Sequence, residues 1–440
     1  LDLAEVEIES YERALDMRNG VLERELIWTT PSGKRVKLKS TRLVSFVDRH
    51  LAMIEYEVTM LDEAAALDIR SVTAVPAGYT GAGDDPRKSR ALGEGVLQPV
   101  SHSADGLRAV LCHETGRSGL RLACGVDHQL ETECPYTLES RCFENEASVT
   151  FSVDASPGTP VRLVKYITYH HDDGPEMGEL RHRARRTLDR AIRRGVATIR
   201  EEQRDYLETF WADSDFEVGD DAVQQAIRFN LFQILQASAR ADGAGVAAKG
   251  LTGHGYEGHY FWDTEIYVLP FLIYTQPRLA RNLLMFRYRT LDQARQRARE
   301  VNQRGALFPW RTISGEEASA YYAAGTAQYH INADIVYAIR KYVNATGDTD
   351  FLHGPGAEIL VETARLWLDL GFFSEHHGGQ FCIVGVTGPD EYNTVVNNNT
   401  FTNLMARENL RYAVSTVEYL AEHLPAAFAA LTDATGLEPE

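Results

Sequence analysis

The stretch ELRHRARRTLDRAIRRGVATIREEQRDYLETF, residues 179–210, marks the point where the chain changes its hydrophobic period. Leu180, Ala184, Leu188, Ala191, Ile192, Ile199 and Leu207 recur at helical spacing and leave a narrow apolar stripe on a surface rich in Arg and Glu. Before this stretch apolar residues alternate with polar ones, as in half-buried strands; after it they return at every third or fourth position. Its charges read as the solvated face of a helix bridging two domains. We therefore expect a domain over 1–175, a helical linker over 176–215 and a second domain over 216–440.

On the N-terminal side, alternation and β-branched side chains predict strands over 35–46, 52–60, 69–75, 107–112, 120–126, 148–153 and 161–169. Turn signals such as Pro31-Ser32-Gly33 and Ser156-Pro157-Gly158 separate them. The expected fold is a large antiparallel β-sandwich, with a long polar, Gly-rich loop over 77–95. His170 and His171 stand beside Asp172 and Asp173, but successive strand residues face opposite ways, so the two imidazoles do not share an ion. The chain opens mid-pattern on Leu1, and a start missing upstream is expected.

On the C-terminal side, helical spacing covers 222–240, 264–274, 277–302, 328–346, 356–370 and 401–423. Aromatic and polar loops fall between these helices, over 250–263, 306–325 and 382–399. Pattern alone gives an all-α domain, and the whole chain reads as α+β multidomain.

Composition bounds the function. A length of 440 residues favours two cores, and the net charge of −18 argues against nucleic acid or an anionic membrane as partner. No apolar run reaches the length of a membrane span. Cys112, Cys124, Cys134, Cys142 and Cys382 show no C-x-x-C spacing, which favours free thiols and a cytoplasmic location while leaving room for one bridge among the first four.

Chemistry gathers in the segment CIVGVTGPDEYNTVVNNNTFTN, residues 382–403, where an apolar run breaks at Gly388-Pro389 and sets Asp390 and Glu391 on a loop before a helix. Read alone, the pair could cap that helix. GPDEY at 388–392 followed by VNNNTFTN resembles the glycoside hydrolase family of maltose, trehalose and kojibiose phosphorylases, family 65. Family members usually carry His where this chain has Asn393. The resemblance implies that Glu391 is the general acid and that the helical domain is the first part of an (α/α)6 toroid, or barrel, whose loops converge at one end. About half of the six helix pairs fit between residues 220 and 440, so a cut at the C-terminal side is also expected.

A second block, GLTGHGYEGHYFWDTE at 250–265, joins aromatic residues to carboxylates. A sugar offers apolar C–H faces and a rim of hydroxyls, which aromatic platforms and carboxylates recognise together. Trp262-Asp263 supplies one of each, although Asp263 could instead cap the following helix. By resemblance, Trp262 and Asp263 hold the non-reducing glucose, with Tyr260 nearby; the family usually has an acidic residue where His254 stands. The order His254, Glu257, His259 matches neither helical zinc signature. A third block, LFPWRTISGEEASAYYAAGTAQYHINADI at 307–335, resembles the family throughout and adds Trp310, Glu316, Glu317, Gln328 and His330 as candidates for a pocket wall. His330 reads more readily as a core histidine than as a catalyst.

A glycosidic oxygen leaves as a strongly basic alkoxide unless a carboxyl protonates it. An inverting hydrolase adds a carboxylate that activates water, whereas a phosphorylase uses phosphate, an anion that needs a cationic cradle rather than a base. The expected function is inverting phosphorolysis of trehalose, maltose, kojibiose or nigerose to β-D-glucose 1-phosphate and glucose. Glu391 is the proton donor, and Trp262, Asp263, Tyr260, Trp310, Glu316 and Asp390 form the substrate-binding set. Alternatives are a trehalase-like inverting α-glucoside hydrolase and an inactive glycan-binding protein. No metal or organic cofactor is expected, phosphate being the co-substrate. The resemblance further implies a homodimer and a phosphate cradle beyond residue 440.

Overall fold

The computed structural model describes residues 7–75, 95–116, 118–172, 174–239, 241, 243–251, 255–319 and 322–437. The expected loop over 77–95 therefore lies almost wholly outside the described residues. Two compact units divide the chain, one ending at Asp215 and the other resuming at Phe216.

The first unit holds eleven strands: β1 (Glu7–Asp16), β2 (Val21–Thr29), β3 (Arg35–Val44), β4 (Leu51–Met60), β5 (Ala65–Ala74), β6 (Leu97–Asp105), β7 (Arg108–Thr115), β8 (Arg121–Glu131), β9 (Tyr136–Cys142), β10 (Glu146–Ala155) and β11 (Val161–Asp172). Eight of them form one sheet in the order β1-β2-β3-β4-β11-β8-β7-β6, and β5-β10-β9 form a second. Val36, Val58, Met60 and Leu163 of the large sheet pack against Ile69, Val149, Phe151 and Val153 of the small one, which makes the expected antiparallel sandwich.

The outer face of the large sheet is covered by α1 (Met177–Ser214), which breaks at Gly195, φ 73° and ψ 165°. Leu188, Ala191 and Ile199 press on Leu43, Met53, Val164 and Tyr166. A Cβ at Gly125 of β8 would sit 2.9 Å from Thr168 and 3.2 Å from Leu188, so the glycine permits this close approach of helix to sheet. The segment expected as a bridging linker is thus a layer of the first unit, because its narrow stripe is wide enough to bury against the sheet. His170 faces this helix, with Nε2 3.0 Å from Thr187 Oγ1, while His171 is exposed, as strand alternation requires. Asp173 lies outside the described residues.

The second unit is helical: α2 (Asp221–Ser238), α3 (Leu269–Thr275), α4 (Pro277–Arg289), α5 (Leu291–Glu300), α6 (Ala323–Thr326), α7 (Ile331–Thr346), α8 (Thr349–Phe351), α9 (Ala357–Leu370), α10 (Thr400–His423) and α11 (Pro425–Thr435). A small hairpin, β12 (Phe372–Ser374) and β13 (Gln380–Cys382), follows α9. Pro277 fits the first turn of α4, where its missing N–H has no helical partner, and Gly347 closes α7 at φ 70°. Helices α7, α9 and α10 meet around Trp367, whose Nε1 donates to Asn409 Oδ1 at 2.9 Å. Among the described residues the helices do not close a barrel. Ile383 and Val386 are packed into the same cluster as Trp367, Ala333 and Ala406, so the loop that follows β13 is rooted in the core. Burying two such side chains is worth roughly 3–6 kcal/mol in transfer free energy.

Candidate active site

The segment after β13 is tied at both ends. Val386 and Val396 exchange backbone hydrogen bonds of 3.0 and 2.8 Å, and Asn398 N donates to Ile383 O at 2.7 Å. Thr387 N and Oγ1 donate to Ala327 O at 2.9 Å and Ala323 O at 2.7 Å, which fixes the loop to the segment before α7. The loop ends at Asn399, whose side chain accepts from Thr402 N at 3.0 Å and so caps α10. Asn399, not the acidic pair, therefore performs the capping, and Asp390 and Glu391 project from a bend held on both sides.

Across from this bend runs the segment entering α3. The amide of Leu269 donates to Thr264 O, five residues back, so 264–268 forms one turn of π-helix of the kind found at functional sites. Asp263 precedes it and makes no side-chain cap. Two residues on, Glu265 is fully buried and receives Arg287 Nε at 2.7 Å, Arg287 Nη2 at 3.0 Å and Tyr260 Oη at 2.6 Å. Arg287 also lies over the Tyr260 ring at 4.5 Å. Burial, reinforced by the Glu265 charge, pushes the Tyr260 phenol far above its ordinary pKa, so it remains a donor.

Trp262, Asp263, Trp310, Asp390 and Glu391 come together in the wall of one cleft of about 1000 Å³. Trp262 donates from Nε1 to Gln328 Oε1 at 3.0 Å, and Gln328 Nε2 donates to Ala324 O at 2.8 Å, which orients the amide. Trp310 meets Phe261 edge to face at 5.5 Å, and its amide donates to Glu317 Oε2 at 2.8 Å. Asp263 opens to the cleft, yet the surrounding wall removes enough water to push its carboxyl pKa upward, and the Glu265 charge acts in the same direction. Asp390 Oδ1 accepts from Tyr392 N at 3.2 Å, an Asx turn that holds the bend.

Two expected substrate contacts lie elsewhere. Tyr260 is 2% exposed and sits behind the wall on Glu265, because its hydroxyl serves the buried ion pair. Glu316 is exposed and lines a separate depression with Asp292, Gln296, Glu300 and its neighbour Glu317, whose carboxylate also accepts from the amides of Trp310 and Arg311. Gln328 lines the cleft; His330 is wholly buried beneath it. His254 lies outside the described residues, while His259 donates to Tyr256 O at 2.7 Å and Glu257 pairs with Arg311. Among the described residues no group of three His, Cys, Asp or Glu side chains is gathered as a metal site.

Sequence reasoning missed Lys249, Tyr267 and Tyr392, which also line the cleft. Tyr392 follows Glu391 directly and was legible as part of the same turn; Lys249, preceding Gly250, gave no periodic or charge signal.

A carboxyl that shares a cleft wall with an indole and further carboxylates suits the cleavage of a sugar–oxygen bond. Comparison with known proteins agrees with that chemistry. Residues 1–210 match the model of the glycosyl hydrolase family 65 N-terminal domain, and residues 228–434 match that of its central catalytic domain. The chain belongs to glycosyl hydrolase family 65. It is 43% identical to the α,α-trehalose phosphorylase of Thermoanaerobacter brockii, over all of this chain and 57% of that protein. It is 32% identical to the kojibiose phosphorylase of Halothermothrix orenii, over 96% of this chain and 56% of that one. A solved structure titled as a putative kojibiose phosphorylase from human microbiome superposes with a TM-score of 0.85 at 27% identity, covering 99% of this chain and 57% of that one. The chain thus spans about half the length of these family 65 relatives.

Proposed function

We propose that this chain carries the proton donor and the glucose-binding wall of an inverting disaccharide phosphorylase. The reaction converts an α-glucosidic disaccharide and phosphate into glucose and β-D-glucose 1-phosphate. The observation that carries the reading is that Glu391 shares a cleft wall with Trp262 and Asp263. The non-reducing glucose lies on the Trp262 indole, and Asp263 accepts two of its hydroxyls. As the C1–O bond breaks, the proton of the Glu391 carboxyl passes to the glycosidic oxygen. A phosphate oxygen forms the new bond to C1 from the opposite face, which inverts the configuration and leaves Glu391 as carboxylate until water reprotonates it. We propose α,α-trehalose ahead of kojibiose as the substrate. Relatives named trehalose phosphorylase reach 43% and 42% identity, against 32% and 30% for those named kojibiose phosphorylase. A cytoplasmic homodimer belongs to the same proposal, supported by the five free cysteines for the location.

The test is turnover of trehalose, maltose and kojibiose by the full-length enzyme, with and without phosphate. Phosphate-dependent release of β-D-glucose 1-phosphate is expected, and product formed equally without phosphate would assign a hydrolase instead. Glu391→Gln should lower kcat by about 10²–10⁴ while leaving sugar affinity measurable.

A further inference from the structure

Beneath the cleft, two buried groups remain that the proposed reaction does not use. His330, 0% exposed, sits just before α7, and its Nδ1 lies 2.6 Å from Oδ2 of Asp334, one turn further along the same helix and equally buried. The imidazole meets the Trp262 ring edge to face, centroids 5.0 Å apart and planes at 87°. Its other neighbour is the ring of Phe401, 5.5 Å away, in the first turn of α10 just after the loop that carries Glu391. His330 Nε2 and Asp334 Oδ1 find no hydrogen-bond partner among the described residues. Burial raises the Asp334 pKa, assisted by the Glu265 charge and opposed by His330 and by the Arg287 charge.

Burying an imidazole and a carboxyl so incompletely satisfied is unfavourable, and an apolar pair of the same shape would fill the space without that penalty. What the apolar pair would lack is a fixed ring orientation. An indole that receives a sugar face must be held in plane as well as in place. Gln328 fixes the Trp262 N–H, but one hydrogen bond leaves the ring free to tilt about it. The His330 edge removes that freedom, and Asp334 in turn fixes the imidazole through Nδ1.

We propose that His330 and Asp334 are positioning residues that set the plane of Trp262 for the glucose face and space it from the start of α10. This inference rests on the reading of the cleft as a glucose site. An edge-to-face ring pair contributes about 1 kcal/mol, so losing the orientation should weaken glucose binding five- to tenfold.

The experiment uses the full-length enzyme. Asp334→Asn keeps the volume and removes the carboxyl that orients His330; His330→Gln keeps a hydrogen-bonding group near Asp334 and removes the ring. Binding is followed by calorimetric titration with glucose, folding by thermal unfolding, and catalysis by KM and kcat. Both variants should raise the glucose Kd, together with KM for disaccharide and for glucose 1-phosphate, by a common factor of five to ten. They should change kcat less than threefold and alter the emission of Trp262, referenced to Trp262→Phe. Folded variants with wild-type Kd and KM would overturn the proposal, as would a loss confined to kcat. If Trp262→Phe itself binds glucose like the wild type, the glucose reading of the cleft fails. If Trp262→Phe loses binding and the two dyad variants do not, the positioning role alone fails.

Discussion

Replacing Gly325 by Ala tests whether the Trp310 wall shapes the site. Gly325 is buried in α6, and a Cβ built there would lie 2.4 Å from Trp310 Cε3 and 2.6 Å from both Cδ2 and Cζ3. Ordinary contact begins near 3.4 Å, so the indole must retreat by about 1 Å. Its retreat is obstructed: Phe261 stands edge-on at 5.5 Å, Tyr322 lies at 6.2 Å, and the Trp310 amide is bound to Glu317 at 2.8 Å. Overpacking of this kind costs about 1–3 kcal/mol. Because Gly325 has no left-handed backbone angle to protect, the cost is steric alone. Part of it should appear as a lower Tm, a fall of about 2–8 °C. The displaced ring alters the cleft directly, so the affinity for glucose, read by tryptophan fluorescence, should fall several-fold beyond any effect of stability. An Ala variant with unchanged Tm and unchanged sugar affinity would refute the close packing of Gly325 on Trp310 and with it the role of that wall.

Glu265→Gln breaks a pair whose members are 0% and 1% exposed, so unfolding should become easier by about 3–5 kcal/mol, measured by urea denaturation. Asn399→Ala removes the cap of α10 at about 1 kcal/mol, and since Asn399 Nδ2 also packs where a Cβ on Gly388 would lie, 2.8 Å away, kcat should fall more than stability does. In the first unit, burial and the stacked His50 depress His170 to about 4, with Asp48 opposing and Arg183 and Arg190 assisting. Its unfolded value is near 6.5, so the unfolded chain binds more protons between these limits; stability is full above about pH 6.5 and declines as pH falls towards 4. After allowance for solvent screening the loss is about 1–2 kcal/mol, and His170→Asn should flatten that part of the stability–pH curve.

The sandwich was legible where strands bury one face. β10 alternates because Val149, Phe151 and Val153 meet the large sheet, while β3, β4 and β11 pack one part of their length on the small sheet and the rest on α1. β1, β2, β6 and β9 were not predicted: β1, β6 and β9 are edge strands with almost every side chain exposed, where nothing enforces alternation, and interior β2 buries only Val21 and Leu26, too few to show a period. The role of α1 was misjudged for a related reason. Its stripe is narrow, but the sheet beneath supplies Val164 and Tyr166 at close range, so a few small residues such as Ala184 and Ala191 suffice to dock it. Trp262, Asp263, Asp390 and Glu391, singled out by residue type and motif, line one cleft; Tyr260 and Glu316 could not be sorted from them because sequence does not tell which side of a loop faces the cleft.

That sorting depends on where the buried charges lie. FWDTE places three candidates in five residues, and the π-type turn sends Asp263 outward and Glu265 inward. Arg287, ten residues into α4, decides the matter: a buried guanidinium needs a carboxylate, and Glu265 supplies both oxygens. With Glu265 and Tyr260 committed to Arg287, Trp262 and Asp263 line the cleft beside Phe261. The acidic loop follows the same logic, since Ile383 and Val386 anchor it in the core and Asn399 takes over the cap, which leaves Glu391 without a structural duty at the wall of the cleft. Val395 holds φ at 51° in this loop, a conformation unfavourable for a β-branched side chain and sustained here by the paired backbone bonds of the adjacent Val396 with Val386. A loop held against its own preference by bonds on both sides keeps Glu391 in one place, which is what the proposed proton donation to a glycosidic oxygen requires.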